Sequence, residues 1–175
     1  MTKKDFTRRI LNGKTDVLQV FLDALRAAKI PFCVIGGLAV NAYTDPVVSL
    51  DLDIVVVSDR IKDLSGSLPR GFKLKSFPTR LNISAPGANL RIQVQTDPRY
   101  QDFLSRAKRK SVLGYPMPVA SAEDVLQGKI WAALDDTRRP SKRQKDLADI
   151  MRLVESRPEL APFVPPVLKK RLSLF

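Results

Sequence analysis

Histidine is absent from the whole chain of 175 residues. That removes the usual neutral-pH general base, every Ser-His or Cys-His nucleophile system and any His-ligated zinc. Cysteine occurs once, as Cys33 within an apolar run, so no internal disulfide can form and no thiolate cluster can hold a metal. Cys33 reads as a small core residue, and a reducing cytoplasmic setting fits. A metal held here would therefore be a hard cation on carboxylates, such as Mg²⁺ or Mn²⁺. No apolar run approaches the ~20 residues of a membrane-spanning helix, so a membrane partner is not expected. Met1 to Asn12 is polar and basic without an apolar stretch behind it, and no secretory signal is expected there.

Acidic residues are also in short supply. Lys and Arg number 30 against 18 Asp and Glu, a formal charge of +12 that attracts polyanions. The cations gather at Lys3, Lys4, Arg8 and Arg9; at Arg106, Lys108, Arg109 and Lys110; at Arg138, Arg139, Lys142, Arg143 and Lys145; and at Lys169, Lys170 and Arg171. These clusters serve either solubility on solvated helix faces or attraction of nucleotides and nucleic acids. Aromatic residues do not interleave with them, which gives little support to a base-stacking platform. An apolar fraction of 44% is enough for a packed core in a single domain spanning residues 1–175.

Local patterning divides that domain. Val17, Val20, Phe21, Ala24, Leu25 and Ala28 recur at helical spacing up to Pro31. Phe32 to Ile35 is a short apolar run typical of a buried strand. Gly36-Gly37 breaks it, and Leu38 to Tyr43 can form a turn or two of helix. Leu50 to Val57 is the clearest strand, with Ser58 opening a helix to about Leu68. Phe72 to Phe77, Leu81 to Ser84 and Leu90 to Gln95 follow as strands, and Tyr100 to Arg109 reads as a short basic helix. Ser121 and Asp124 form a capping-box pattern for a helix to about Asp135. Another helix starts near Ser141, and the tail after Arg157, with Pro158, Pro162, Pro165 and Pro166, reads as irregular. The expectation is an α/β (α+β) domain with a core over about residues 15–120, C-terminal helices over about 121–157 and a Pro-rich tail over 158–175. A twisted mixed sheet would be flanked by helices, with a helical C-terminal third.

Two features carry chemistry. Strand geometry puts Leu50, Leu52, Ile54 and Val56 on one face and Asp51 and Asp53 on the other, their Cα atoms roughly 6–7 Å apart. Like charges on one sheet face repel unless a cation lies between them, and two carboxylates can hold metal ions that bind phosphates and activate a hydroxyl. Alternatively, they are two exposed acids on the solvent side of an amphipathic strand. Gly36-Gly37, straight after a buried strand, permits a positive φ and close approach of a ligand to the backbone, or simply a tight turn.

The order of apolar strand, Gly36-Gly37, short helix and then Asp51-Leu52-Asp53 on a second apolar strand resembles the signature of the nucleotidyltransferase superfamily. Val34 to Val57 is similar to the AbiEii-like and related minimal members. The resemblance implies that Gly36 and Gly37 hold a triphosphate and that Asp51 and Asp53 are the catalytic, Mg²⁺-binding acids. It also matches Lys129, Lys145, Asp146 and Asp149 to recurrent positions on the helices that close the site, with Lys129 and Lys145 as nucleotide-binding cations. Without the resemblance, Lys145 and Asp149 are an ordinary i,i+4 pair.

The chain departs from that pattern in two respects: its spacer before Asp51 reads Pro46-Val47-Val48-Ser49, where the family often carries an arginine and a threonine, and it lacks an acid on a later strand. The superfamily's third acid would fall in Ile92-Gln93-Val94, where Gln93 is an amide that cannot ionise. Asp97 shares its strand parity but lies about 13 Å further along. The reading is therefore an Mg²⁺-dependent enzyme that moves a nucleoside monophosphate from an NTP to a hydroxyl of RNA, protein or a small molecule. The alternative is a catalytically impaired nucleotide- or RNA-binding module, or a toxin–antitoxin component with a partner protein.

Overall fold

The computed structural model describes residues 16–85 and 87–173, so the cluster at Lys3 to Arg9 lies outside the described residues. Asp16 caps the first helix, α1 (Val17–Ala27), by accepting from the Gln19 amide at 3.1 Å. Leu18, Phe21, Leu22 and Leu25 of α1 are buried. The buried stripe thus runs through Leu18 and Leu22 rather than through Val17 and Val20.

Strand β1 (Phe32–Ile35) leads directly into α2 (Gly36–Asn41), which begins at the first glycine rather than at Leu38. Strand β2 (Asp51–Val56) is followed by a 3₁₀ turn at Ser58–Arg60 and α3 (Ile61–Ser67). Ser58 lies within that turn, and its side chain does not cap it. Next come β3 (Lys73–Phe77), β4 (Arg80–Ser84) and β5 (Arg91–Gln95). A 3₁₀ turn at Pro98–Tyr100 precedes a single-turn helix, α4 (Phe103–Arg106).

The expected basic helix to Arg109 ends at Arg106. Lys108 and Arg109 instead open a hairpin of β6 (Lys108–Val112) and β7 (Tyr115–Val119). Leu113 and Gly114 turn it with φ of 55° and 86°, the mirror-image turn that matches strand twist. The C-terminal third opens with α5 (Ala122–Leu134) and α6 (Pro140–Ser156). Ser121 Oγ caps α5 by accepting from the Asp124 amide at 3.1 Å.

The segment after Arg157 is ordered structure, not irregular tail: a 3₁₀ helix at Pro158–Phe163 and then α7 (Pro166–Leu172). Pro158 and Pro166 stand at the starts of these helices, where the missing N–H has no partner to lose.

One seven-stranded sheet runs β3-β4-β5-β2-β1-β7-β6. The β2–β5 and β1–β7 pairs are parallel, and the other neighbours are antiparallel. Leu52 and Ile54 of β2 share a face with Ile92 and Val94 of β5 and with Leu81 and Ile83 of β4, and all six are buried in the main core. Cys33 faces the other way, beside Val55, and is fully buried; desolvation pushes its thiol up to about 12, so it stays a protonated core residue.

Candidate active site

Asp51 and Asp53 lie on β2 with buried Leu52 between them, so both project from one face of the sheet. The antiparallel register sets Ile35, the last residue of β1, opposite Asp53. Gly36 follows at once with φ of +68°, and a Cβ built on it would overlap Asp53 Oδ2 and lie 2.9 Å from Asp53 Cβ. The residue after β1 must therefore be glycine for two reasons, its left-handed backbone and the carboxylate against its Cα. Gly37 is different. A Cβ there would meet only Ser49 Oγ at 3.8 Å, so it leaves open backbone rather than relieving a clash.

Burial pushes the Asp53 carboxyl up from 3.8 to about 6; Asp51 adds to the rise, while Lys129, Arg138 and Lys142 oppose it. Asp51 Oδ1 meets Arg91 Nε at 2.7 Å as an ion pair but has no aligned hydrogen bond. Parallel pairing sets Gln93 of β5 beside Asp53. The amide thus stands where the resemblance calls for a third acid. Asp97 cannot replace it, because its carboxylate caps the turn at Pro98–Tyr100 and holds Arg99 at 2.7 Å.

A buried charge cluster supports this site from α5 and α6. Lys129 Nζ lies 3.0 Å from Asp146 Oδ1 and 2.6 Å from Asp149 Oδ2. Burial works against the Lys129 ammonium, but Asp149 and Asp146 more than offset it, and its pKa is raised. Arg138 Nε reaches the other Asp146 oxygen at 2.6 Å, and Arg152 reaches Asp149 Oδ1 at 2.9 Å. The same Arg152 guanidinium donates to Asn41 Oδ1, Thr44 Oγ1 and the Asp45 carbonyl at 2.9, 2.8 and 2.6 Å. Asn41 in turn closes two hydrogen bonds with the Val47 backbone. The loop that enters β2 is thereby tied to α6.

The structure brings together Gly36, Gly37, Asp51, Asp53 and Lys129. Asp146 and Asp149 serve as partners of Lys129, and Asp149 does not pair with Lys145, which is exposed on α6. Sequence reasoning passed over Arg138 and Lys142 as site residues. Both act on Asp53 from more than eighty residues away, and the only signal was their membership of a basic cluster.

No family model matches the chain, and no curated protein is similar to it in sequence. Among solved structures, the antibiotic-resistance factor ANT(2″)-Ia superposes with a TM-score of 0.61 at 14% identity, over 90% of this chain and 91% of that one. The lincosamide antibiotic adenylyltransferase LnuA, solved with lincomycin bound, gives 0.54 at 14% identity over 81% and 99%. An antigenic nucleotidyltransferase-like protein from Paracoccidioides brasiliensis gives 0.53 at 22% identity over 89% and 91%. At these identities the likeness is one of fold: the chain has a nucleotidyltransferase-like fold, a mixed sheet flanked by helices with a helical C-terminal third.

Proposed function

We propose that the chain is a cytoplasmic, divalent-cation-dependent nucleotidyltransferase of the AbiEii-like minimal group. One observation carries this reading: Asp51 and Asp53 share a sheet face, and the backbone at Gly36 is held bare against the Asp53 carboxylate. A divalent cation suits this donor set. Mg²⁺ is commonly held by one or two carboxylates together with substrate phosphates and waters, and Asp51 Oδ1 lacks an aligned donor. Asp51 and Asp53 would hold the cation, which would neutralise phosphate charge and lower the pKa of a hydroxyl bound to it.

The reaction joins the acceptor hydroxyl oxygen to the α-phosphorus of the NTP. The bond from that phosphorus to the oxygen bridging the β-phosphorus breaks, and pyrophosphate leaves. Gln93 cannot take the hydroxyl proton, so the proton passes to Asp53 or to water. Gly36 and Gly37 give the triphosphate unobstructed backbone. Lys129 is committed to Asp146 and Asp149 and acts on the site through its field. Arg138 and Lys142, closer to solvent on the same side, are better placed to meet the triphosphate.

Calorimetric titration with Mg²⁺ and each NTP tests this, alongside an Asp51→Ala/Asp53→Ala variant and incubation with labelled NTP and cellular RNA and protein. Metal-dependent binding that the variant loses, together with label transfer, is the expected result. Undiminished binding by the variant would remove the assigned site.

A further inference from the structure

Beyond Asp51 and Asp53 the same sheet face continues across β5, β4 and β3, and there it is basic. The register sets three cross-strand rows: Asp51, Arg91, Ser84 and Lys73; Asp53, Gln93, Asn82 and Lys75; Val55, Gln95, Arg80 and Phe77. Paired residues project to the same side of a sheet, so the rows form one surface continuous with the site. Lys73, Lys75, Arg80 and Arg91 are exposed on it. Lys75 Nζ and Arg80 Cζ lie 5.2 and 4.9 Å from the Phe77 ring centroid, contacts that hold both cations on this surface. Within these rows the carboxylates are Asp51 and Asp53 alone. Between Leu64 and Thr96 the chain carries five Lys or Arg and no Asp or Glu, and of the cations on this face only Arg91 has a carboxylate partner among the described residues, Asp51 at 2.7 Å. Asn82 Oδ1, between Gln93 and Lys75, is buried without a hydrogen-bond partner. Such an orphan is unfavourable until a donor meets it.

We propose that this face binds the acceptor, and that the acceptor is single-stranded RNA whose terminal ribose hydroxyl is delivered to Asp53. The proposal rests on the nucleotidyltransferase reading and adds the acceptor class to it. Phosphates match Lys73, Lys75 and Arg80, while Arg91 is held by Asp51. Ribose hydroxyls and base edges match the amides of Gln93 and Asn82. A polycationic small molecule would be repelled. Lys75 lies three strands from Asp53, about 14 Å at the usual strand spacing, a distance a few nucleotides cover.

Fluorescence anisotropy with a labelled single-stranded RNA bearing a free 3′ hydroxyl, without NTP or Mg²⁺, tests the face directly. Three proteins are compared: the wild type, Lys73→Gln/Lys75→Gln/Arg80→Gln, and Lys169→Gln/Lys170→Gln/Arg171→Gln, which removes equal charge from α7. Three lost phosphate contacts should lower the slope of log K against log salt by about 2 and weaken binding roughly a hundredfold near 0.1 M salt. The α7 variant should bind as the wild type does, and NTP binding in Mg²⁺ should survive in both variants. Equal losses in the two variants would reduce the effect to net charge and overturn the proposal. So would polyglutamate competing as well as RNA, or a wild type that binds NTP but no RNA. A wild type that binds RNA on this face but neither binds nor transfers NTP would instead overturn the nucleotidyltransferase reading, and the acceptor assignment with it.

Discussion

At Gly36 two independent constraints meet in one residue. Its φ of +68° is a region that an L side chain enters at about 1–3 kcal/mol, and a Cβ would also displace the Asp53 carboxylate. Gly36→Ala should therefore lower stability by at least about 2 kcal/mol and weaken NTP binding in Mg²⁺. Gly37→Ala should be near neutral or slightly stabilising, since Ala is the better helix former and its Cβ would make one ordinary contact. Paired urea melts check both, and similar losses for the two would refute the assignment of the strain to Gly36. Asp53 makes a second prediction through pH. Its folded pKa, raised to about 6 from 3.8, means that the native state binds the proton more tightly, so this group's contribution to stability falls as pH rises from 3.8 through about 6. Asp53→Asn lacks that dependence. Its melting temperature should gain on the wild type across this interval and level off above it, and a difference flat with pH would contradict the buried placement. Mg²⁺ at neutral pH should raise the wild-type midpoint more than the variant's.

Between elements, α5, α6 and the loop before β2 are joined by charge rather than by apolar contact alone. Lys129 is 8% exposed and stands between Asp146 at 1% and Asp149 at 3%. Breaking a buried pair strands the remaining charge, so Lys129→Met should destabilise by about 3–5 kcal/mol even though methionine fits the volume. Chemical denaturation reads this, and a loss below about 1 kcal/mol would mean that Arg138 and Arg152 alone satisfy the two carboxylates. This network also shows what could be read from the chain. The face shared by Asp51 and Asp53 was legible because a strand alternates with period two and its neighbours are all apolar. The cap at Ser121 was legible because capping is local in sequence. The pairing of Lys129 with Asp149 was not, because local spacing favours Lys145 as the partner and only the packing of α5 on α6 reverses that choice. The β6–β7 hairpin was hidden for another reason. Lys108 to Val112 has a single buried residue, Val112, and in β7 the buried alternation of Tyr115, Met117 and Val119 is interrupted by Pro116 and Pro118, which argue against a strand.

For the molecule as a whole, the last segment decides whether the C-terminal third is an appendage or part of the core. Leu160, Val164, Leu168 and Leu172 are exposed by 1%, 1%, 0% and 9%, and all four belong to the single main cluster. At about 1.5–3 kcal/mol for each buried side chain, they contribute roughly 6–12 kcal/mol of apolar burial. Domains of this kind retain a net stability of about 5–15 kcal/mol, so the segment is comparable to the whole margin. It also packs on α6, the helix that carries Asp146, Asp149 and Arg152. A chain ending at Arg157 should therefore lose its cooperative transition rather than merely shed a tail. Circular dichroism during urea titration distinguishes the cases. A shallow, non-cooperative profile together with loss of NTP binding is the expected outcome. A sigmoidal transition at the wild-type midpoint would show that the sheet and α6 stand without the last helix, and the burial in 158–172 would then be a covering layer with no share in holding the site together.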